Sequence, residues 1–200
     1  MELFVDNVLD LIEWIGEDEI AQDLASFSCP INPEIEQFLK KDAIEFAKRK
    51  MSITYIVSDS DDGSILGYFT LANKALEIRE SAISKSLSKK VSRYGVLDEN
   101  EGTYTVHSYL LAQFGKNYAI DNGKRIHAAD LMEQADVIIK QIQHLIGGGL
   151  IYLDVEKKDD PEKKYEKLVG MYHKTSNYVT FNERHSTTDG KDYIMMIKAI

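Results

Sequence analysis

The most restrictive feature of this sequence is a strand, turn, helix and strand pattern between Thr105 and Glu156. The run Thr105 to Phe114 has the composition of a strand, and a polar turn follows at residues 119–129. Apolar residues then recur at helical spacing, at Leu131, Ala135, Ile138, Ile142 and Leu145. A glycine triplet precedes the β-branched run Leu150 to Glu156. The pattern predicts a crossover unit of an α/β fold, with one buried helix face.

The turn before this helix carries two adjacent cations, Lys124 and Arg125. A helix N-terminus presents unpaired backbone N–H groups and about half a positive charge. The turn is therefore expected to favour a bound phosphate or pyrophosphate.

Three short sequences, Gln113 to Asn117, Gly123 to Ala128 and Tyr165 to Met171, together resemble the core of the GNAT family of acyl-CoA acyltransferases. Gln113-Phe-Gly-Lys-Asn is similar to the end of the family's fourth strand, where splayed backbone holds pantetheine. The turn from Gly123 to Ala128 resembles the pyrophosphate loop, although only the final small residue of the family pattern is present. Tyr165-Glu-Lys-Leu-Val-Gly-Met resembles the family's tyrosine-bearing signature, with Val169 as an extra residue.

The resemblance implies an α/β fold: a single GNAT-like domain over residues 31–200, with a mixed, mostly antiparallel twisted sheet flanked by helices. Residues 1–30 would then be an acidic helical N-terminal extension, because apolar residues from Phe4 to Ile15 follow helical spacing. A second amphipathic helix is expected over residues 33–51. The runs 53–57 and 65–71 predict a β-hairpin, and the runs 177–181 and 193–198 predict two closing strands.

The resemblance also implies acetyl-CoA as co-substrate. Backbone groups of Phe114, Gly115 and Lys116 would hold pantetheine, and the turn and helix start would hold the pyrophosphate through Lys124, Arg125, Ile126, His127, Ala128 and Ala129. Tyr165 is expected to act as the general acid or to orient the thiol, because a phenol stays protonated at neutral pH and can protonate a departing thiolate. Glu156, at the end of its strand, is the candidate general base, with a solvated surface charge as the alternative.

Two other regions allow more than one interpretation. Residues 1–24 contain eight carboxylates and no lysine or arginine, so they form either an ordinary surface helix or an acidic wall that recruits a cationic partner. Residues 74–103 interleave serines with lysines, which predicts a short solvated helix and loop or a contribution to the ligand site. The five histidines lack the spacing of a metal site, so no metal is expected.

Composition restricts the partners. The net charge of −9 argues against a nucleic-acid footprint, so we expect a small-molecule or protein amine as acceptor and no DNA or RNA. No apolar run reaches the length of a membrane span, and the lone Cys29 excludes an internal disulfide, which agrees with a cytoplasmic protein. The oligomeric state stays open, with a dimer as one alternative.

The sequence therefore predicts an N-acetyltransferase that transfers an acetyl group directly from acetyl-CoA to an amine. Two alternatives remain. One is a GNAT-fold protein-interaction module with reduced turnover, and the other is a toxin-like acetyltransferase that acts on aminoacyl-tRNA.

Overall fold

A computed structural model describes residues 2–158 and 164–200 of the chain, except for the side chain of Asn122. The strands are β1 (Leu3–Asn7), β2 (Ile53–Asp59), β3 (Ile65–Arg79), β4 (Gly95–Asp98), β5 (Thr103–Lys116), β6 (Leu150–Glu156), β7 (Val179–His185) and β8 (Asp192–Ala199). The α-helices are α1 (Val8–Ile15), α2 (Glu17–Ala25), α3 (Pro33–Gln37), α4 (Ala43–Lys48), α5 (Lys85–Val91), α6 (Ala128–Ile146) and α7 (Lys164–Ser176). A π-helical turn (Phe38–Asp42) joins α3 to α4, and short 3-10 helices cover Glu80–Ala82 and Asn122–Lys124.

The chain divides into two units. Unit 1 contains residues 1–72 and 111–138, and unit 2 contains residues 73–110 and 139–200. Strands β3 and β5 and helix α6 run from one unit into the other. The strand order is β1-β2-β3-β5 in unit 1 and β3-β5-β6-β8-β7 in unit 2, where β4 also pairs with β5.

The register confirms the predicted mixed, mostly antiparallel sheet. Strands β2 and β3 form the expected antiparallel hairpin, with Ile53 opposite Leu71. Strands β7 and β8 form the expected closing antiparallel pair. The parallel pair is β5 with β6, where Tyr109 lies opposite Ile151, and α6 is the crossover helix between them.

Each unit has its own apolar core. In unit 1 the helices α1 to α4 bury side chains against β2 and β3, and the core includes Leu24, Phe27, Leu39, Ile56 and Tyr68. In unit 2 the core lies between α5 and the strands, and it includes Ile78, Val91, Val106, Tyr152 and Ile197. Full burial of an aliphatic or aromatic side chain of this size contributes roughly 1.5–3 kcal/mol, so these clusters hold each unit together.

The predicted helix over the acidic N-terminal segment is wrong at its start. Residues Leu3–Asn7 form β1, which pairs antiparallel with β2, and the Asn7 side chain caps the helix that follows by accepting from Leu9 N–H at 2.9 Å. The spacing of the apolar residues in this short segment is compatible with a strand as well as with a helix. Only pairing with β2 decides between the two.

The segment 74–103 is also more regular than predicted. Strand β3 continues to Arg79, and the sequence then forms a short 3-10 helix, α5 and β4. Ser84 caps α5 by accepting a hydrogen bond from Leu87 N–H at 3.2 Å. The predicted short helix is therefore present, but a strand on each side replaces most of the expected loop.

Candidate functional site

The last residues of β5 form an edge in unit 1, where β5 is the final strand of the order. Phe114 and Lys116 are half-buried and Gly115 is buried. A Cβ on Gly115 would meet the side chain of Ile35 and approach the Tyr68 ring to 3.3 Å. Gly115 therefore lets the strand lie close to α3. An edge strand presents backbone N–H and C=O groups that can bind an extended ligand arm.

Asn117 fixes the chain where it leaves β5. This side chain is buried, with 2% exposure. Its Oδ1 accepts from Ser28 N–H at 3.0 Å and from Ala119 N–H at 2.9 Å, and its Nδ2 donates to Ile65 O at 2.8 Å. Asn117 thus ties the start of the predicted phosphate turn to the start of β3 and to the segment after α2.

Tyr118 is the centre of a cationic cluster in the turn. The Lys116 ammonium lies 5.7 Å from the Tyr118 ring centroid, and the Arg125 guanidinium lies 5.0 Å from it. Arg125 Nη2 also donates to Tyr118 O at 3.0 Å. Its buried Nε has no hydrogen-bond partner among the described residues. A buried N–H without an acceptor is costly, so the cluster fits an anionic ligand that would supply one.

Lys124 has a different environment from its neighbour Arg125. Its ammonium lies 2.6 Å from Asp62 Oδ2, and both side chains are exposed. The hydrogen bond to Lys124 is the main reason that the pKa of Asp62 lies far below its usual range, and the same bond raises the pKa of Lys124. The Lys124 ammonium, which was expected to attract the phosphate, is therefore already in an ion pair with Asp62.

The N-terminus of α6 follows this turn within unit 1. The first helical hydrogen bond runs from Leu131 N–H to His127 O at 3.1 Å, so the N–H groups of Ala128 and Ala129 precede it. Ile126 is buried with 1% exposure and anchors the turn in the core, whereas His127 is exposed. Asp130 in the first turn of α6 opposes an anion here, as does Asp121 in the preceding turn.

Tyr165 and Glu156 both belong to unit 2. Tyr165 lies in the first turn of α7, is half-buried, and donates its hydroxyl hydrogen to Glu166 Oε1 at 3.3 Å. Glu156 ends β6, and its Oε2 lies 3.0 Å from Lys158 Nζ and 3.5 Å from Lys191 Nζ. Accepting a proton would cost Glu156 both ion pairs.

Asp154 was missed by the sequence analysis. It lies two residues before Glu156 in β6, and its Oδ2 accepts from Arg184 Nη2 at 2.7 Å. Its other oxygen is buried without a hydrogen-bond partner among the described residues. The Arg184 guanidinium also lies 4.8 Å from the Tyr193 ring centroid. An acidic residue inside an apolar strand was the available signal.

No group of three or more histidine, cysteine, aspartate or glutamate residues within residues 2–158 and 164–200 could hold a metal ion. In the same residues, no helix has the length and apolar composition needed to cross a membrane.

No protein-family model matches this sequence, and no curated protein matches it either. Solved structures do match. A structure of AtaT complexed with acetyl-methionyl-tRNA is 15% identical, with a TM-score of 0.59 over 96% of this chain and 94% of that chain. A structure of AtaTR bound with acetyl-CoA is 14% identical, with a TM-score of 0.58 over 99% and 93%. A tyrosine-to-phenylalanine mutant of KacT is 14% identical, with a TM-score of 0.63 over 100% and 95%.

These structures overturn the expectation that nucleic acid plays no part and that the acceptor is a small-molecule or protein amine. The AtaT complex contains acetyl-methionyl-tRNA, and a further similar structure is an AtaT–AtaR complex bound to DNA. The exclusion rested on the net charge of the whole chain. Net charge is a poor guide because nucleic acids bind to local cationic surfaces, and eight of the carboxylates lie in residues 1–24.

The likeness extends over nearly the whole length of the chains compared, and the sheet, the crossover helix and the tyrosine-bearing helix occur in the order implied by the sequence resemblance. This protein therefore has the fold of the GNAT acetyltransferases.

Proposed function

We propose that this protein is an N-acetyltransferase that transfers an acetyl group from acetyl-CoA to the α-amino group of an aminoacyl-tRNA. The observation that carries the proposal is the nearly full-length likeness to AtaT in complex with acetyl-methionyl-tRNA. The structure with acetyl-CoA supports the choice of donor. A fold does not by itself fix a reaction, so the proposal also depends on the residues of this chain.

The cofactor would be held mainly by backbone groups of unit 1. The edge formed by Phe114, Gly115 and Lys116 offers N–H and C=O groups to the pantetheine arm. The N–H groups from Arg125 to Ala129 offer donors to the pyrophosphate at the start of α6. Support comes from the N–H groups of Ala128 and Ala129, which precede the first helical hydrogen bond, and from the buried Nε of Arg125, which has no partner among the described residues. The Lys124 ammonium would contribute little, because Asp62 neutralises it.

Tyr165 would act as the proton donor of the reaction. The amine nitrogen attacks the thioester carbonyl carbon, a C–N bond forms, and the C–S bond breaks with its electron pair on sulfur. The Tyr165 hydroxyl gives its proton to that sulfur and regains one from solvent, while the attacking nitrogen loses a proton. Support comes from the position of Tyr165 in the first turn of the helix after β6.

The proton lost by the amine needs an acceptor, for which Glu156 remains the sequence-based candidate. Its two lysine partners argue for a structural contribution, because they stabilise the end of β6. The α-amino group of an aminoacyl ester is less basic than a lysine amine. Its neutral form is well populated near neutral pH, as for an α-amino group of pKa about 8. Water can then take the proton.

The proposal is tested by incubating the protein with acetyl-CoA and methionyl-tRNA and measuring acetyl-methionyl-tRNA by mass spectrometry. We expect product with the wild type and a loss of at least about a hundredfold in rate with Tyr165→Phe. Tyr55→Phe is a matched control, because Tyr55 stacks on Phe69 in unit 1 at 5.2 Å between ring centroids. Absence of product from any aminoacyl-tRNA, with acetyl-CoA still bound, would contradict the proposed acceptor.

A further inference from the structure

Helix α5 has one buried face and one cationic face. Val91 is fully buried and Leu87 packs beside it in the core of unit 2. Lys85 and Lys89 lie on the opposite side of the helix, Lys90 lies at the flank of the buried face, and all three are exposed. Arg93 is also exposed in the turn that follows. We call Lys85, Lys89, Lys90 and Arg93 the α5 cations.

The α5 cations lie in a stretch, residues 81–97, that contains no aspartate or glutamate and is flanked by Glu80 and Asp98. None of the four forms an ion pair with the described part of the chain. By contrast, Lys124 in unit 1 forms an ion pair with Asp62. The α5 cations are therefore available to an external anion.

Helix stability explains only part of this arrangement. Lys89 and Lys90 lie in the last turn of α5, where cations complement the helix dipole. Lys85 is the first residue of the helix, where a cation is unfavourable. A cation at that position is therefore better explained by an external partner than by the helix itself.

An open groove of about 510 Å³ runs beside these cations and is lined by Glu80, Ser81, Ile83, Lys85, Ser88 and Lys89. The one carboxylate of the groove is held by hydroxyl groups. Glu80 Oε1 accepts from Tyr104 Oη at 3.3 Å and from Ser88 Oγ at 3.4 Å. Two ammonium groups and two serine hydroxyls thus line an open depression beside the α5 cations.

An aromatic ring lies next to the α5 cations in sequence. Tyr94 keeps 39% of its surface exposed. Its ring lies against Gly149, where it occupies the space that a Cβ would need. Part of the Tyr94 ring therefore packs against its own unit, and the exposed part can contact a ligand. Cations beside an exposed aromatic ring are typical of surfaces that bind single-stranded RNA, because phosphates meet the charges and a base stacks on the ring.

We propose that the α5 cations bind the phosphate backbone of the RNA that carries the acceptor amine, with Tyr94 as a stacking surface for a base. This inference rests on the proposed function, because it names a surface that would bind the same substrate through its phosphates. Charge complementarity selects the occupant: four exposed cations without an ion-pair partner among the described residues, with Lys85 and Lys89 one helical turn apart, match a linear polyanion. The acidic N-terminal segment belongs to a different unit and explains why the net charge hides this surface.

The test measures binding of the full-length protein to deacylated tRNA across a range of salt concentrations. One variant replaces all four α5 cations by glutamine. The control variant makes the same change of charge in unit 1 with Lys41→Gln, Lys48→Gln, Arg49→Gln and Lys50→Gln. We expect the α5 variant to bind at least about tenfold more weakly at low salt, with the slope of log K against log salt reduced by about 3. The control should stay within about twofold of wild type.

Several outcomes would overturn the proposal: an unchanged salt slope in the α5 variant, an equal loss in the control, or wild-type binding to duplex DNA or to phosphatidylserine vesicles as tight as binding to tRNA. If tRNA binding depends on the α5 cations but methionyl-tRNA is not acetylated, this surface is supported and the proposed function fails. If acetylation proceeds with an unchanged KM for methionyl-tRNA in the α5 variant, the surface is wrong and the proposed function stands.

Discussion

The Lys124 ammonium lies 2.6 Å from Asp62 Oδ2, so the predicted phosphate-binding cation is already in an ion pair. Lys124→Ala should therefore weaken acetyl-CoA binding by less than about threefold, because exposed paired charges contribute little. Asp62→Asn should tighten binding slightly at low salt, because it frees the ammonium. Isothermal titration calorimetry at two salt concentrations measures both variants.

Arg125 should matter more than Lys124 for the same ligand. Its guanidinium is half-buried, lies over the Tyr118 ring, and keeps one buried N–H without a partner. We expect Arg125→Ala to weaken acetyl-CoA binding by about tenfold and Arg125→Lys to restore only part of it, because the guanidinium plane is lost. Equal effects of Lys124→Ala and Arg125→Ala would show that the turn binds no phosphate through Arg125.

Tyr165→Phe should separate chemistry from binding. The substitution removes one hydroxyl and keeps the ring, so the dissociation constant for acetyl-CoA should change by less than about twofold. The value of kcat should fall by about 10² to 10⁴, which is the usual contribution of a general acid. Single-turnover kinetics and calorimetry on the same sample check the two parts. A normal kcat would favour another proton donor.

Glu156→Gln should have a small effect on the rate. Glu156 Oε2 is shared between Lys158 and Lys191, so the amide should loosen the end of β6 and lower kcat by less than about tenfold. A pH–rate profile is the measurement that decides. Loss of more than about a hundredfold, together with disappearance of the acidic limb of the profile, would identify Glu156 as the base after all.

Asn117→Ala should destabilise unit 1 and disturb the turn that follows β5. It removes two accepted bonds and one donated bond from a buried position, which should lower the free energy of unfolding by about 2–4 kcal/mol. Urea denaturation measures the loss. The exposed Asn100→Ala is the control and should stay within about 0.5 kcal/mol of wild type. A similar change in both variants would contradict the role of Asn117.

The sequence by itself determined the local elements with strong periodicity. The apolar spacing of α6, the turn chemistry between β2 and β3, and the β-branched run of β6 each specify one kind of structure. Such a pattern can be recognised within a single segment, because the apolar residues of one buried face recur at the period of a helix or a strand. The crossover, the hairpin and the closing strands were therefore predicted correctly before any contact was known.

Only the tertiary structure decided the features that depend on partners distant in sequence. Leu3–Asn7 became a strand because β2 offers it hydrogen bonds. Lys124 lost its free charge to Asp62, which is far away in the sequence, and Glu156 gained the distant partner Lys191 in the same way. Ion pairs and strand pairs join residues whose separation carries no periodic signal. The net charge of the whole chain likewise gave no sign of the α5 cations, because it sums charged side chains that folding places in separate units.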